Sequence, residues 1–153
     1  MSVEVSRKEL QSVPTLVVRG TTASTEIAKT LAEMFGAVWS YAQKKAVPLA
    51  GPPFARYLTV GRGTFSIEAG LPVAAPVPGE GSIVASELPR CHAAVAVHVG
   101  AYEKLESTHA AVARWLAENH LEAGAPWEVY LTDPGTTPDP AEWRTEVIYP
   151  LQA

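Results

Sequence analysis

Two strands are predicted by the stretch Pro126-Trp127-Glu128-Val129-Tyr130-Leu131 and its continuation Thr145-Glu146-Val147-Ile148-Tyr149-Pro150. β-Branched and aromatic residues alternate with polar ones in both, and Pro, Gly and Asp are confined to the connection at residues 133–140. Because side chains alternate along a strand, Glu128 and Tyr130 share one face. Burying an unpaired carboxylate is costly. This face is therefore either hydrated or ready to receive a partner.

The composition predicts one domain over residues 1–153, since the chain is 47% hydrophobic and 18% charged and is long enough for one sizeable core. A net charge of -4 argues against direct binding of nucleic acid. A single cysteine, Cys91, excludes an internal disulfide and suits a reducing compartment. The start of the chain has no signal-peptide pattern, and the chain has no apolar run of about 18 residues. We therefore expect a cytoplasmic protein with no membrane partner.

The order of elements is read from periodicity and turn residues. Apolar residues from Ile27 to Ala42 recur at helical spacing, with Thr22 or Ser24 as the N-cap and an end before Gly51. A second helix is predicted from residue 102 to about residue 123, with Leu105, His109, Val112 and Leu116 on one face. The predicted strands are a short one at Val3 and Val5 before a turn at residues 8–12, then 14–19, 54–60, 64–71, 83–88, 92–99 and the final two; a turn at Gly61-Arg62-Gly63 joins 54–60 to 64–71, and residues 72–82 form a connector.

The same order of elements occurs twice along the chain. GPPFARYLT at residues 51–59 aligns with GAPWEVYLT at 124–132, and the spacing of Glu68 and Pro72 repeats in Glu146 and Pro150. These matches predict an α+β fold of two ββαββ halves, at about residues 1–73 and 82–153. We expect a pseudo-two-fold, an eight-stranded antiparallel sheet, two long helices on one side and a ligand cleft at the seam. Ala55 aligns with Glu128, so a ligand site would break the symmetry there.

The duplicated halves, Gly100-Ala101-Tyr102, PWEVYLTDP at 126–134 and TEVIYPL at 145–151 together resemble a GyrI-like small-molecule-binding domain. This is the effector-binding domain of multidrug-responsive transcription regulators, with a duplicated SHS2-type fold. The resemblance covers essentially the whole chain. It implies an aromatic pocket around an acidic residue, for which Glu128 is the best match, with Tyr102 and Tyr149 as walls. The sequence shows no DNA-binding helix-turn-helix pattern, unlike the regulators, so we do not expect direct control of transcription.

Each candidate also has a structural interpretation. Glu128 could form a salt bridge with Arg56, Arg144 or Lys104, Glu146 could serve the scaffold as its twin Glu68 does, and the tyrosines and tryptophans could be core residues. His92 and His98 alternate with small alanines on a face that could floor a cavity, but they lack a third ligand at a recognisable spacing, so we expect neither a metal nor a cofactor. Ser86, Ser107 and Cys91 lack the context of a catalytic nucleophile. The candidate ligand-binding residues are Glu128, Glu146, Tyr102, Tyr130, Tyr149, Trp127, Trp143, Trp39, Tyr57 and His98.

The sequence favours a stand-alone binding module for lipophilic, aromatic or cationic small molecules, acting in sensing, sequestration or protection. A carboxylate in an apolar cleft favours a weakly hydrated cation, which aromatic rings also attract. The pattern leaves open a protein partner. The alternative is an enzyme, because some stand-alone members of the family resemble hydrolases that open the cyclopropane rings of DNA-alkylating natural products. Glu128 and Glu146 would then be its general acid and base.

Overall fold

Eight antiparallel strands and two long helices make up the structure, a computed structural model that describes residues 4–60, 63–133 and 135–152. The predicted α+β class is thus confirmed. Val3, and Gly61 and Arg62 of the predicted turn, lie outside the described residues. Within the described ranges, no helix has the length and apolar character needed to cross a membrane.

The elements follow the predicted order with shifted boundaries. Where a turn was expected at residues 8–12, the first strand continues to Leu10, and the second helix is shorter than predicted. The expected cap of the first helix is wrong: its N-cap residue is Glu26, and Thr22 instead bonds Thr30 through their hydroxyls at 2.8 Å. The bounds are β1 Val5–Leu10, β2 Val13–Ala23, α1 Ile27–Lys44, β3 Phe54–Val60, β4 Thr64–Pro72, β5 Val84–Leu88, β6 Cys91–Val99, α2 Leu105–Glu118, β7 Trp127–Tyr130 and β8 Arg144–Pro150; short 3-10 turns occupy Ser24–Glu26, Tyr102–Lys104 and Pro140–Glu142.

The chain divides into two compact units. The C-terminal unit comprises Met1–Leu10 and Cys91–Ala153, and the middle unit comprises Gln11–Arg90. The C-terminal unit orders its strands β1-β6-β8-β7, and the middle unit orders its strands β5-β2-β4-β3. The strand β1, which begins the first half of the sequence, therefore pairs in the C-terminal unit, and β5, which begins the second half, pairs in the middle unit. Only two residues separate β1 from β2.

The core of the C-terminal unit lies between α2 and the sheet face that carries Ala94 and Ala96, which are 0% and 1% exposed. Their small side chains let the helix approach closely, so the expected cavity floor beside His98 is instead covered by α2. The other core residues are Leu105, Val112, Leu116 and Val147. In the middle unit the corresponding core of α1 contains Leu16, Val38, Leu71, Val73 and Ile83.

The strand registers confirm the internal duplication. Ala69 pairs with Ala55 in the middle unit, and Val147 pairs with Glu128 in the C-terminal unit. The same registers place Tyr57 opposite Ile67 and Tyr130 opposite Thr145. Ala55 and Tyr57 are thus the structural equivalents of Glu128 and Tyr130. The tyrosine is present in both units, whereas the alanine of the middle unit is replaced by a glutamate in the C-terminal unit.

Candidate functional site

The carboxylate of Glu128 is buried in the C-terminal unit. Glu128 is 4% exposed and lies opposite Val147, whose side chain packs in the core beneath α2. Alternation along β7 therefore directs Glu128 and Tyr130 towards α2, and Trp127 and Val129 to the opposite face. Only four residues form this strand, and one of them supplies the carboxylate that faces the helix.

Hydrogen bonds tie this carboxylate to α2 and to its own strand. The His109 Nε2 atom is 2.6 Å from Oε2 of Glu128, and the Tyr130 hydroxyl donates to Oε1 at 2.7 Å. Buried carboxylates need such donors, because desolvation disfavours the charged form. His109 lies on the face of α2 that carries the buried residues Leu105 and Val112.

A further hydrogen bond extends the chain of polar groups to β8. The Tyr149 hydroxyl is 2.6 Å from Nδ1 of His109, and the two rings meet edge to face at 5.6 Å. Burial, followed by the charge of Glu128, raises the pKa of Tyr149 to about 12. Tyr149 therefore stays a phenol near neutral pH. Its hydroxyl donates to a neutral imidazole and accepts from an imidazolium.

Aromatic rings flank this polar chain. The Tyr102 ring lies 4.8 Å from that of Trp143 with an interplanar angle of 35°, and 5.6 Å from that of Tyr130 in an edge contact. All three side chains are only partly buried. Trp143 is held by its indole N–H, which donates to the Thr137 carbonyl at 2.6 Å. Burial, then the charges of Asp133 and Glu128, raises the pKa of Tyr102, so this phenol also keeps its proton.

The structure brings together five of the predicted site residues and separates the two carboxylates. Glu146 lies opposite Val129, so its side chain is on the sheet face away from Glu128. The expected acid–base pair of Glu128 and Glu146 does not share one site on this sheet. Trp127 also points to that other face and is 2% exposed, as expected of a packing residue. The residues that converge are Tyr102, Glu128, Tyr130, Trp143 and Tyr149.

The remaining three candidates lie elsewhere. His98 is buried and joins β6 to α2, because Nε2 donates to the Ala101 carbonyl at 3.0 Å and Nδ1 is hydrogen-bonded to the Thr108 hydroxyl at 2.8 Å. These two hydrogen bonds indicate a structural role for His98. Trp39 and Tyr57 belong to the middle unit: Trp39 is 53% exposed on α1, and Tyr57 meets Phe65 edge to face at 5.9 Å.

His109 is the residue of this cluster that the sequence reasoning missed as a candidate. The helical spacing placed it correctly on the apolar face of α2, together with Leu105 and Val112. A titratable ring within an apolar stripe was the available signal, because such a ring must find polar partners when the face is buried. The strand residues opposite it could not be deduced without the pairing register.

The polar cluster is confined to one unit. Leu71 is the equivalent of Tyr149, since Leu71 pairs with Leu16 as Tyr149 pairs with Ala94. The buried positions of the two helices repeat with the same spacing, from Leu31 in α1 and from Leu105 in α2, which places Phe35 at the position of His109. Phe35, Ala55 and Leu71 thus stand where His109, Glu128 and Tyr149 stand; Ala55 and Leu71 are buried, and Phe35 is partly buried. The shared scaffold folds without these polar groups.

Two other features bear on the site. Across the described part of the chain, no group of three or more His, Cys, Asp or Glu side chains is arranged to hold a metal ion. An open depression of about 380 Å³ lies along the start of α2, lined by Glu103, Lys104, Glu106, Ser107 and Ala110. None of these residues belongs to the Glu128 cluster, and the depression has no aromatic lining. We therefore place the candidate site at the Glu128 cluster.

The chain belongs to the GyrI-like family, because the family model described as GyrI-like small molecule binding domain matches residues 3–152. The resemblance stated from the sequence is thereby confirmed. A search of curated proteins found no match.

Solved structures share the fold. The C-terminal domain of EcmrR is similar with a TM-score of 0.88 at 20% identity, over 99% of each chain. In the EcmrR–DNA complex the chain spans only 57% of the EcmrR polypeptide. A hydrolase encoded by lin2189 from Listeria innocua has a TM-score of 0.69 at 12% identity, over 99% of this chain and 93% of that one. SAV2435 bound to tetraphenylphosphonium has a TM-score of 0.63 at 13% identity, over 98% and 94%. These low identities show a common fold only.

Proposed function

We propose that the chain binds lipophilic aromatic or cationic small molecules at the Glu128 cluster, for sensing, sequestration or protection. The observation that carries this proposal is a buried carboxylate beside three partly exposed rings, those of Tyr102, Tyr130 and Trp143. A weakly hydrated organic cation loses little by leaving water, and it gains the carboxylate charge and the ring faces. The tetraphenylphosphonium complex of SAV2435 supports this ligand chemistry by analogy of fold.

The asymmetry between the two units also supports a ligand role. The middle unit has apolar residues, Phe35, Ala55 and Leu71, at the equivalent positions. Replacing buried ionic groups by apolar ones is often neutral or stabilising. A polar cluster present in one unit alone is therefore better explained by recognition than by stability.

Dye binding tests the proposal. Tetraphenylphosphonium or rhodamine 6G should bind at micromolar affinity, about -8 kcal/mol, in a fluorescence or calorimetric titration. Glu128→Gln should weaken cation binding by about tenfold or more, because it removes a charge from a low-dielectric site. Neutral aromatic probes should be affected much less.

Glu146→Gln is the matched control. It removes a carboxylate from the neighbouring strand, on the opposite sheet face. It should leave cation affinity unchanged. Equal losses for the two variants, or for cationic and neutral probes, would refute charge recognition by Glu128.

A second candidate function is hydrolysis, for which the 2.6 Å contact between His109 and Glu128 is the specific observation. A hydrogen-bonded histidine–carboxylate pair can accept a proton from water, while a tyrosine that keeps its proton can donate to a carbonyl oxygen. Water would attack a cyclopropane carbon, the strained C–C bond would break towards the conjugated carbonyl, and its oxygen would take up a proton. His109 replaces Glu146 as the partner of Glu128 in this scheme.

Product analysis separates the two functions. A hydrolase would convert a cyclopropane-bearing alkylating agent into the water-added product over many turnovers, and Glu128→Gln or His109→Gln would slow it by about 10²-fold or more. Stoichiometric protection of the compound without product would leave the chain as a binding protein.

A further inference from the structure

His109 bonds the carboxylate that a bound cation would use. Its Nε2–H approaches Glu128 to 2.6 Å, and only 6% of the Glu128 side chain is exposed. A protonated imidazole and a ligand cation would then compete for one carboxylate in a desolvated site, where like charges repel strongly. A neutral imidazole does not compete in this way.

The hydrogen bonds are satisfied in both protonation states of the ring. Nε2–H donates to Glu128 in each state, and the hydroxyl of Tyr149 rotates to accept from Nδ1–H or to donate to a bare Nδ1. A proton can therefore leave from Nδ1 without stranding a buried polar atom. Loss of the proton reverses the direction of one hydrogen bond and breaks none.

The groups around His109 indicate that the proton lost on cation binding comes from the His109–Glu128 pair. Tyr149 keeps its proton because burial and Glu128 raise its pKa to about 12, and His98 is bonded to Thr108 and Ala101. The titratable and charged groups on this sheet face and beside His109 are Glu128 and Tyr130 on β7, Tyr149 on β8, His92 and His98 on β6, Arg7 and Glu9 on β1, Tyr102 in the turn before α2, and Glu106 on α2 itself.

The geometry points to proton-linked ligand selection: a cation that binds at Glu128 displaces a proton from the His109–Glu128 pair, whereas a neutral aromatic ligand does not. His109 is thus the residue that sets the pH range in which the site prefers cations. This inference rests on the proposed binding function and adds its selectivity. Cation affinity rises with pH until the pair has lost its proton, and then levels off.

Calorimetry counts the proton directly. Tetraphenylphosphonium is titrated into the protein in buffers of different ionisation enthalpy, between about pH 5 and pH 8, the range in which imidazoles commonly titrate. On the acid side of the profile we expect release of up to about one proton per cation and a Kd that weakens by at most about tenfold per pH unit. Triphenylphosphine oxide, a neutral probe of similar shape, should release none.

Variants assign the proton to His109. His109→Gln should abolish proton release and flatten the pH profile, whereas His92→Gln, at an exposed histidine outside the cluster, should change neither. If His109→Gln does not fold, Tyr149→Phe serves instead, since it removes the hydroxyl that bonds Nδ1 in both states and should shift the midpoint of the profile.

Two results overturn the inference. Cation binding without proton release, or with the same release in His109→Gln or the same midpoint in Tyr149→Phe, refutes proton linkage and leaves the binding function standing. Absence of tetraphenylphosphonium binding at every pH refutes the cation-binding function, and the linkage with it.

Discussion

Removing His109 should destabilise the protein because the Glu128 carboxylate stays behind. The side chains of His109 and Glu128 are 23% and 6% exposed, so their 2.6 Å contact is largely shielded from water. A hydrogen bond to a buried charge contributes about 1.5–3 kcal/mol, and breaking a fully buried pair costs about 3–5 kcal/mol. Because the ring is partly exposed, we expect His109→Leu to lower the free energy of unfolding by about 2–3 kcal/mol. An apolar side chain suits the position because Phe35 occupies its equivalent in α1.

The double-mutant cycle isolates the charge. When Glu128→Gln is already present, no carboxylate is left without its donor, so His109→Leu should cost only about 1 kcal/mol. Urea unfolding at neutral pH, followed by tryptophan fluorescence and circular dichroism, measures each free energy of unfolding. The combination of His109→Leu with Glu146→Gln is the control and should be additive. If His109→Leu costs the same within about 0.5 kcal/mol with and without Glu128→Gln, the pairing of His109 with the Glu128 charge is refuted.

Two further predictions concern the groups around this pair. Spectrophotometric titration should show one tyrosine that ionises near pH 12 and disappears in Tyr149→Phe; because folding raises this pKa from 10.0, its contribution to stability is present below about pH 10 and is lost as the pH rises to about 12. A Tyr149 midpoint at the ordinary value would contradict the burial of its hydroxyl. Thr108→Val should cost about 1–2 kcal/mol in urea unfolding, since it removes the 2.8 Å partner of His98, and should leave cation affinity unchanged; a loss of affinity would bring His98 back into the site.

Much of the fold could be predicted from the sequence because it is encoded in local patterns. Alternation set the faces of Glu128 and Tyr130, and the repeated strings gave the duplication that the registers confirm. The pairing of β1 with β6 was not predictable in this way, since nothing local distinguishes it from a hairpin with β2. Such long-range pairings depend on the complementarity of distant segments.

The site was predicted less completely for a related reason. Period two gives the faces within one strand, but the face of Glu146 relative to that of Glu128 depends on the register between β7 and β8, and a shift of one residue would reverse it. His109 lies on α2, and its helical phase indicated burial without indicating the residue opposite. The partners of a side chain across two elements are tertiary facts, which a single sequence does not provide.

A crystal structure of the protein with tetraphenylphosphonium would locate the bound cation. We expect the cation to lie against the Glu128 carboxylate, with phenyl groups on the rings of Tyr102 and Trp143. A cation bound in the depression beside Glu103 and Glu106, or on the exposed Trp39 of the middle unit, with the Glu128 cluster unaltered, would contradict this expectation.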